Sequence, residues 1–339
     1  MLIDAMSFAK DLVSAKEGAK RCESEGYDGI WTGETTHDPF LACLLGANAT
    51  QRVTVGTAVA IAFARTPMTV ANSAYDLAQL SEGRFVLGLG TQVKAHIRKR
   101  FSMPWSDPAA RMREYVLALR AIWSCWQDGT KLDFAGDYYT HTLMTPFFSP
   151  KPHEFGPPPV YLAGVGSLMT KVAGEVCDGF HFHAFTTPKY LESVTLPALL
   201  EGRARGGHDS LNEFTIAGPA FTCVGRDEKE LATAIAGTKK QIAFYASTEA
   251  YRAVLDHHGW GDLQPELLRL TRENRWSEMA DVIDDEVLHT FAAVGDVEQV
   301  AKELHKRWSP VAQRISLYST YEADPSLWQE LLVAIKRLG

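Results

Sequence analysis

The sequence predicts an α/β chain folded as a (β/α)8 TIM barrel, with a helical insertion between the seventh and eighth strands. Three observations predict it. Short β-rich runs and helical patterns alternate from one end of the chain to the other. Nearly all the β-rich runs are continuously apolar, as in strands covered on both faces. The runs number eight, the count at which right-handed crossovers close a parallel sheet on itself. An open doubly wound sheet alternates in the same way, but its glycine-rich phosphate turn follows the first strand. The first turn here, SFAKD, has no glycine. No period of about 20–50 residues repeats, which argues against a solenoid.

Leu2–Phe8 is the predicted first strand, and Asp11–Gly26, with Val13, Ala19 and Cys22 on helical spacings, the first helix. Gly29–Glu34 is strand two and Pro39–Thr50 its helix. Val53–Ala62 is strand three; Thr66–Pro67 then opens a helix to about Leu80, ended by Gly83. Phe85–Gly90 is strand four, followed by a basic segment, Lys94–Arg100, and a long amphipathic helix, Ala109–Gln127. Asp133–Thr142 reads as a small excursion with a hairpin around Gly136. Pro150–Pro159, with five prolines, is a connecting loop. Val160–Val165 with Leu168–Cys177 makes the fifth pair. Gly179–Phe185 is strand six with a helix to about Arg205, and Phe214–Val224 is strand seven. Glu228–Ala293 carries only helical patterning, broken at Gly259–Gly261 and Pro265. Helix Val297–Trp308, strand Arg314–Tyr318 and helix Pro325–Leu338 complete the series. Residues 1–339 are expected to form one domain, with insertions at about 128–158 and 228–293.

Composition narrows the function. Of 339 residues, 46% are hydrophobic and 22% charged, enough to build a core and to exclude general disorder. Lys and Arg number 34 against 41 Asp and Glu, a net charge of −7, which disfavours binding to nucleic acid. Five cysteines are scattered singly without a CxxC pair, as in a chain from a reducing compartment. No apolar run approaches the ~18 residues of a membrane helix, and the amino terminus lacks a basic segment of the secretory kind. A cytoplasmic location, no membrane association and a small-molecule substrate are expected.

In a barrel the chemistry lies at the carboxyl ends of the strands. Strand two ends in GETTHDPF, placing Glu34, His37 and Asp38 there; Thr36 or Asp38 can equally cap the next helix. Thr57 sits among small residues in strand three, where a flat ligand can approach the backbone, though close packing explains the same pattern. Thr91, Gln92 and His96 follow strand four, within reach of a heterocycle. Gly164, Val165, Gly166 and Ser167 join strand five to its helix; free amides at a helix start hold phosphate, and a Ser cap on a tight turn is the plainer alternative. His181 and His183 share one face of strand six. They are read as ligand-bonding or packing groups, with a metal site a weaker reading for want of carboxylates. Trp31, Phe40, Phe63 and Phe185 lie near strand ends and are candidates to line an apolar pocket.

Taken together, EGYDGIWTGETTHDPF, RVTVGTAVAIAFARTP, LAQLSEGRFVLGLGTQVKAHIRKRFSMPW and AGEVCDGFHFHAF resemble the bacterial luciferase-like superfamily, and most nearly its deazaflavin (coenzyme F420)-dependent oxidoreductase branch. The resemblance covers nearly the whole chain and implies a barrel. It also implies a flat ring held against a strand-three bulge with a non-prolyl cis peptide, falling here at Ala58–Val59. It implies a cofactor phosphate at Gly164–Ser167, and His96 beside the ring. The chain departs from the sugar-phosphate dehydrogenases of that branch. Their Asp-His pair after strand two is Glu34–Thr35 here, with His37 displaced by two, and their acid after strand four aligns with Val93. Those acid–base roles therefore do not transfer.

The expected activity is hydride transfer between F420 and a small organic substrate such as an alcohol or ketone. His37 is the expected proton carrier, and Glu34 its orienter or replacement. Ala58, Val59, Thr57, Thr91, Gln92, His96, Gly164–Ser167 and His183 are expected to hold the cofactor. An FMN-dependent monooxygenase is the first alternative, and a metal-dependent TIM-barrel hydrolase built on His181 and His183 the alternative from another class. No resident metal is expected. The resemblance also implies a homodimer.

Overall fold

The computed structural model describes residues 1–6 and 10–339; the end of predicted strand one, Ser7 and Phe8, and the turn through Ala9 lie outside the described residues. The strands are β1 (Leu2–Met6), β2 (Gly29–Thr32), β3 (Thr54–Thr57), β4 (Ala60–Ile61), β5 (Phe85–Gly90), β6 (Phe134–Ala135), β7 (Thr140–His141), β8 (Val160–Ala163), β9 (Gly179–His181), β10 (Thr215–Val224), β11 (Ala292–Gly295) and β12 (Arg314–Tyr318). The helices are α1 (Leu12–Glu25), α2 (Pro39–Ala49), α3 (Pro67–Leu80), α4 (Lys94–Lys99), α5 (Pro108–Asp128), α6 (Ser167–Val176), α7 (Pro188–Tyr190), α8 (Leu196–Arg205), α9 (Glu228–Ala246), α10 (Arg252–His257), α11 (Leu263–Arg272), α12 (Asp285–Phe291), α13 (Val297–Trp308) and α14 (Pro325–Lys336). One parallel sheet runs in the order β11-β10-β12-β1-β2-β3-β5-β8-β9; β4 pairs with β5, and β9 also pairs with β10. That last pairing closes the sheet, and the fold is a (β/α)8 barrel.

Helix boundaries follow local chemistry. Asp11 and Asp296 open α1 and α13 as capping boxes with Ser14 and Gln299. Thr66 caps α3 ahead of Pro67, and Gly26 ends α1 at φ +98, a conformation that suits glycine.

The chain divides into two compact units. The first holds Asp4–His181 and Ala198–Thr215. Its strands read as continuous apolar runs because both faces are covered: Val55, Phe85, Leu87, Leu89, Val160 and Leu162 are fully buried. Trp31 donates from Nε1 to Asp4 Oδ2 at 2.8 Å and meets the His181 ring edge-on at 4.9 Å. Glycine makes room for these rings. A Cβ on Gly56 would lie 2.3 Å from the Trp31 ring, and one on Gly179 2.5 Å from that of Tyr161. The excursion expected around Gly136 is the β6–β7 hairpin, whose Asp137, Tyr138 and Tyr139 amides all donate to Glu114.

The second unit holds Met1–Ile3, Phe182–Pro197 and Ile216–Gly339. Helices α9 to α12 build a core of their own, with Ile242, Leu255, Leu267, Met279, Val287 and Phe291 packed on Phe185 and Phe221.

Four expectations are corrected. Strand three is not continuous over Val53–Ala62 but broken between Thr57 and Ala60, for a reason given below. Ala292 and Ala293, read as the end of a helical stretch, begin β11, which pairs with Phe221–Val224 of β10; the run AAVG is too short for its period to declare a strand. Helix six is three pieces, with a π-helical stretch at Leu191–Thr195 between α7 and α8. Trp31, Phe63 and Phe185 are 1, 0 and 1% exposed, so they are core, whereas Phe40, 8% exposed, lines a surface groove beside Leu41 and Leu44.

Candidate active site

The peptide bond between Ala58 and Val59 is cis, at the position the resemblance implies. Both flanking strands are tied to their neighbours. Ala58 N–H donates to Thr32 O at 2.8 Å, and Glu34 N–H to Val59 O at 3.1 Å. The Thr57 hydroxyl donates to Gly88 O at 2.6 Å and accepts from Gly88 N–H at 2.9 Å. Side chains on the neighbours would collide with this bulge: a Cβ on Gly88 would sit 1.8 Å from Thr57 O, and one on Gly90 2.6 Å from Val59 Cγ2. From Val55 to Phe63 every residue is buried except Ala58 and Val59. The break thus leaves two apolar residues partly exposed in an otherwise covered strand, a low ledge. Thr57 itself is fully buried and serves to hold that ledge in place.

Glu34 lies under the bulge. Its carboxylate accepts from Ile61 N–H at 2.8 Å and from Arg65 Nη1 at 2.6 Å, and its side chain is only 6% exposed. Arg65 reaches Asp38 Oδ2 through Nη2 at 2.7 Å, and the other oxygen of Asp38 caps α2 at Phe40 N–H. Burial works against the Arg65 charge, but its hydrogen bonds to the two carboxylates outweigh that and raise its pKa. Glu34 is thereby a clamp on the ledge rather than the orienter of a proton carrier, and the capping reading of Asp38 is the one the structure shows. Sequence reasoning passed over Arg65, a lone cation in ARTP with no spacing signal.

His37 is exposed on the loop after β2, within electrostatic reach of Asp11. Past β5, Thr91 is half-buried and Gln92, at φ +57, accepts from Val93 N–H through its own Oε1 at 2.9 Å. His96 is exposed on α4, and Arg100 pins that helix to the β2 loop by donating to Thr35 O. At β8 the N-cap of α6 is Gly166, not Ser167, and no side chain caps it. The first-turn amides of α6 are left to an outside acceptor. A Cβ on Gly166 would meet nothing within 4 Å. A helix start of this kind can accept an anion.

His181 and His183, two residues apart, have different surroundings. His181 belongs to the buried Trp31–Tyr161 ring cluster. Among the described residues no three or more His, Cys, Asp or Glu gather as metal ligands, so the hydrolase reading lacks its third ligand. His183 accepts from Phe185 N–H through Nδ1 at 3.0 Å, and its Nε2 lies 3.2 Å from the Tyr251 hydroxyl. Tyr251 stacks on its ring at 4.6 Å, and Tyr245 meets it edge-on at 4.7 Å. Tyr245 and Tyr251 lie in the helical insertion, and the fold brings them to His183.

Burial holds the His183 imidazole down at about 4, from an ordinary 6.5. Between those values the unfolded chain takes up a proton that the folded chain refuses. The stabilisation is complete above pH 6.5 and is lost on acidification, by up to about 3 kcal/mol from this group. Urea unfolding from pH 7 to pH 4 should show a shallower loss in His183→Gln than in the wild type. Equal slopes would assign the acid sensitivity elsewhere.

Fold and site together define a class: a barrel with a cis-peptide ledge on strand three and an uncapped helix start after strand five. The chain belongs to the luciferase-like monooxygenase family, whose model matches residues 4–313. It is 51% identical over 309 residues, 91% of each chain, to an uncharacterized protein of Mycobacterium tuberculosis. It is 30% identical to a putative coenzyme F420-dependent oxidoreductase of the same organism, over 87% of this chain and 85% of that one. Among solved structures, it is similar to the coenzyme F420 dependent tetrahydromethanopterin reductase of Methanopyrus kandleri, with a TM-score of 0.78 and 21% identity over 97% of this chain and 96% of that one. It is also similar to the FMN-bound oxygenating constituent of 3,6-diketocamphane monooxygenase of Pseudomonas putida, with a TM-score of 0.69 and 16% identity over 98% and 96%. Among the described residues no helix is long and apolar enough to cross a membrane.

Proposed function

We propose that the protein is an F420-dependent oxidoreductase that moves a hydride between the deazaflavin and a small organic substrate such as an alcohol or ketone. The observation that carries this reading is the Ala58–Val59 ledge, held open by glycines on β5 and clamped by Glu34. The relative named for F420 dependence and the reductase neighbour favour F420 over FMN. When bound, F420 supplies a hydride-accepting or hydride-donating ring carbon.

The chain's own residues position the ring and exclude water. Ala58 and Val59 would offer the ledge, Gly164–Ser167 would receive the phosphate, and Thr91, Gln92 and His96 would border the ring. His37, on the loop beside the ledge clamp, moves the substrate proton. Titrating the protein with F420 and with FMN tests the reading: saturable F420 binding is expected. Binding of FMN alone, with oxygen uptake once the flavin is reduced, would transfer the assignment to the monooxygenase alternative. His37→Ala should lower turnover about a hundredfold while leaving F420 affinity intact. Unchanged turnover removes His37 from the mechanism.

A homodimer is part of the same proposal. Helix α2 (PFLACLLGANA) is apolar all round. Leu41, Leu44 and, on α3, Leu80 stay 48, 44 and 42% exposed beside a groove of about 540 Å³. A second copy covering this face would account for it. Leu44→Glu should then sediment as a monomer, whereas a wild type that is itself monomeric rules out the pairing.

A further inference from the structure

In the second unit, four side chains converge where barrel chemistry is expected. Tyr318 is the last residue of β12, and His183 stands two residues beyond β9. Tyr245 lies in the last turn of α9 and Tyr251 in the turn that follows. All four are partly exposed. The Tyr245 and Tyr318 hydroxyls are 2.8 Å apart, and Tyr251 lies 3.2 Å from His183 Nε2. Phe185 and Phe221 back the group.

Counting hydrogens shows what such a wall can recognise. His183 Nδ1 accepts from the Phe185 amide, so the neutral ring carries its proton on Nε2, facing the Tyr251 oxygen. The Tyr251 hydroxyl hydrogen is then not needed for that contact. Tyr245 and Tyr318 share one hydrogen bond between two hydroxyl hydrogens, so one of them is likewise left over. Two O–H donors therefore remain, and among the described residues no carboxylate, ammonium or guanidinium hydrogen-bonds or stacks with the four. Burial also resists ionisation, raising Tyr251 to about 12 and Tyr318 above its usual range.

We infer that His183, Tyr245, Tyr251 and Tyr318 form the substrate-recognition wall, and that they select an uncharged molecule with an apolar body and one carbonyl or hydroxyl oxygen. That oxygen accepts from the spare phenol hydrogens while the rings cover the body. A phosphate or carboxylate would be brought against aromatic faces with no cation to balance it. The inference rests on the oxidoreductase reading for its reaction but concerns these side chains alone.

The test is calorimetric titration of the F420-saturated protein with cyclohexanol, cyclohexanone, cyclohexanecarboxylate and cyclohexyl phosphate, together with a separate F420 titration of each variant. The alcohol and ketone should bind and the two anions should not. Tyr251→Phe and the double variant Tyr245→Phe/Tyr318→Phe, which keep the rings, should each weaken ketone binding about tenfold and leave F420 affinity unchanged. The carbonyl stretching band of bound cyclohexanone should move to higher frequency in both variants as the donor is lost. Anions that bind as well as the ketone, neutral ligands that do not bind, or tyrosine variants with unaltered affinity and carbonyl band would each overturn the inference. Failure of the protein to bind F420, with ketone binding still dependent on the tyrosines, would sink the cofactor reading and leave the recognition wall standing.

Discussion

Gly88→Ala is expected to destabilise the protein by more than about 4 kcal/mol, in the range reserved for core overpacking and broken networks. The added methyl would lie 1.8 Å from Thr57 O and 3.0 Å from His181 Nε2. The first of these is a backbone oxygen, so no side-chain rotation relieves the contact; β3 and β5 must part. They would part where Thr57 and Gly88 exchange hydrogen bonds at 2.6 and 2.9 Å, the anchor of the ledge. F420 affinity should therefore fall together with stability. Gly166→Ala is the comparison: its Cβ meets nothing within 4 Å, and the N-cap backbone at φ −87 accepts alanine. It should stay within about 0.5 kcal/mol of the wild type in urea unfolding. A Gly88→Ala protein as stable as Gly166→Ala would mean that the two strands are not held as described.

Arg65→Met is the second large effect. It removes the cation paired with Glu34, whose side chain is 6% exposed, and leaves a buried carboxylate with the Ile61 amide. Breaking one side of such a pair costs about 3–5 kcal/mol. Glu34→Gln in the same background removes the stranded charge, so the double variant should be more stable than Arg65→Met alone. A double-mutant cycle should give a coupling above about 1 kcal/mol. Simple additivity would show that the two side chains do not act together. Asp38, 41% exposed, should contribute far less through its own ion pair.

Much of the barrel was legible because local chemistry and burial agree. Continuous apolar runs such as FVLGLG mark strands covered on both faces, and Asp or Thr before a helical run marks its start. Val297–Trp308 and Arg314–Tyr318 fall where the patterning places them. The break in strand three was hidden from periodicity because VTVGTAVAIA is apolar and small on both sides of it; only the family resemblance pointed to it. The clamp was out of reach for another reason. Arg65 and Glu34 are 31 residues apart, and two polar groups at a strand end look alike whether they face a ligand or each other. The tyrosine wall was obscured in the same way, since Tyr251 sits 68 residues from His183 inside a stretch that carries only helical patterning.

Asp38 has one further consequence. One of its oxygens fastens the first turn of α2 and the other grips Arg65, which in turn grips Glu34, whose amide holds Val59 and whose carboxylate holds Ile61. These links are in series, like a yoke. Through these contacts the start of that helix and the partly exposed Ala58–Val59 segment are tied together.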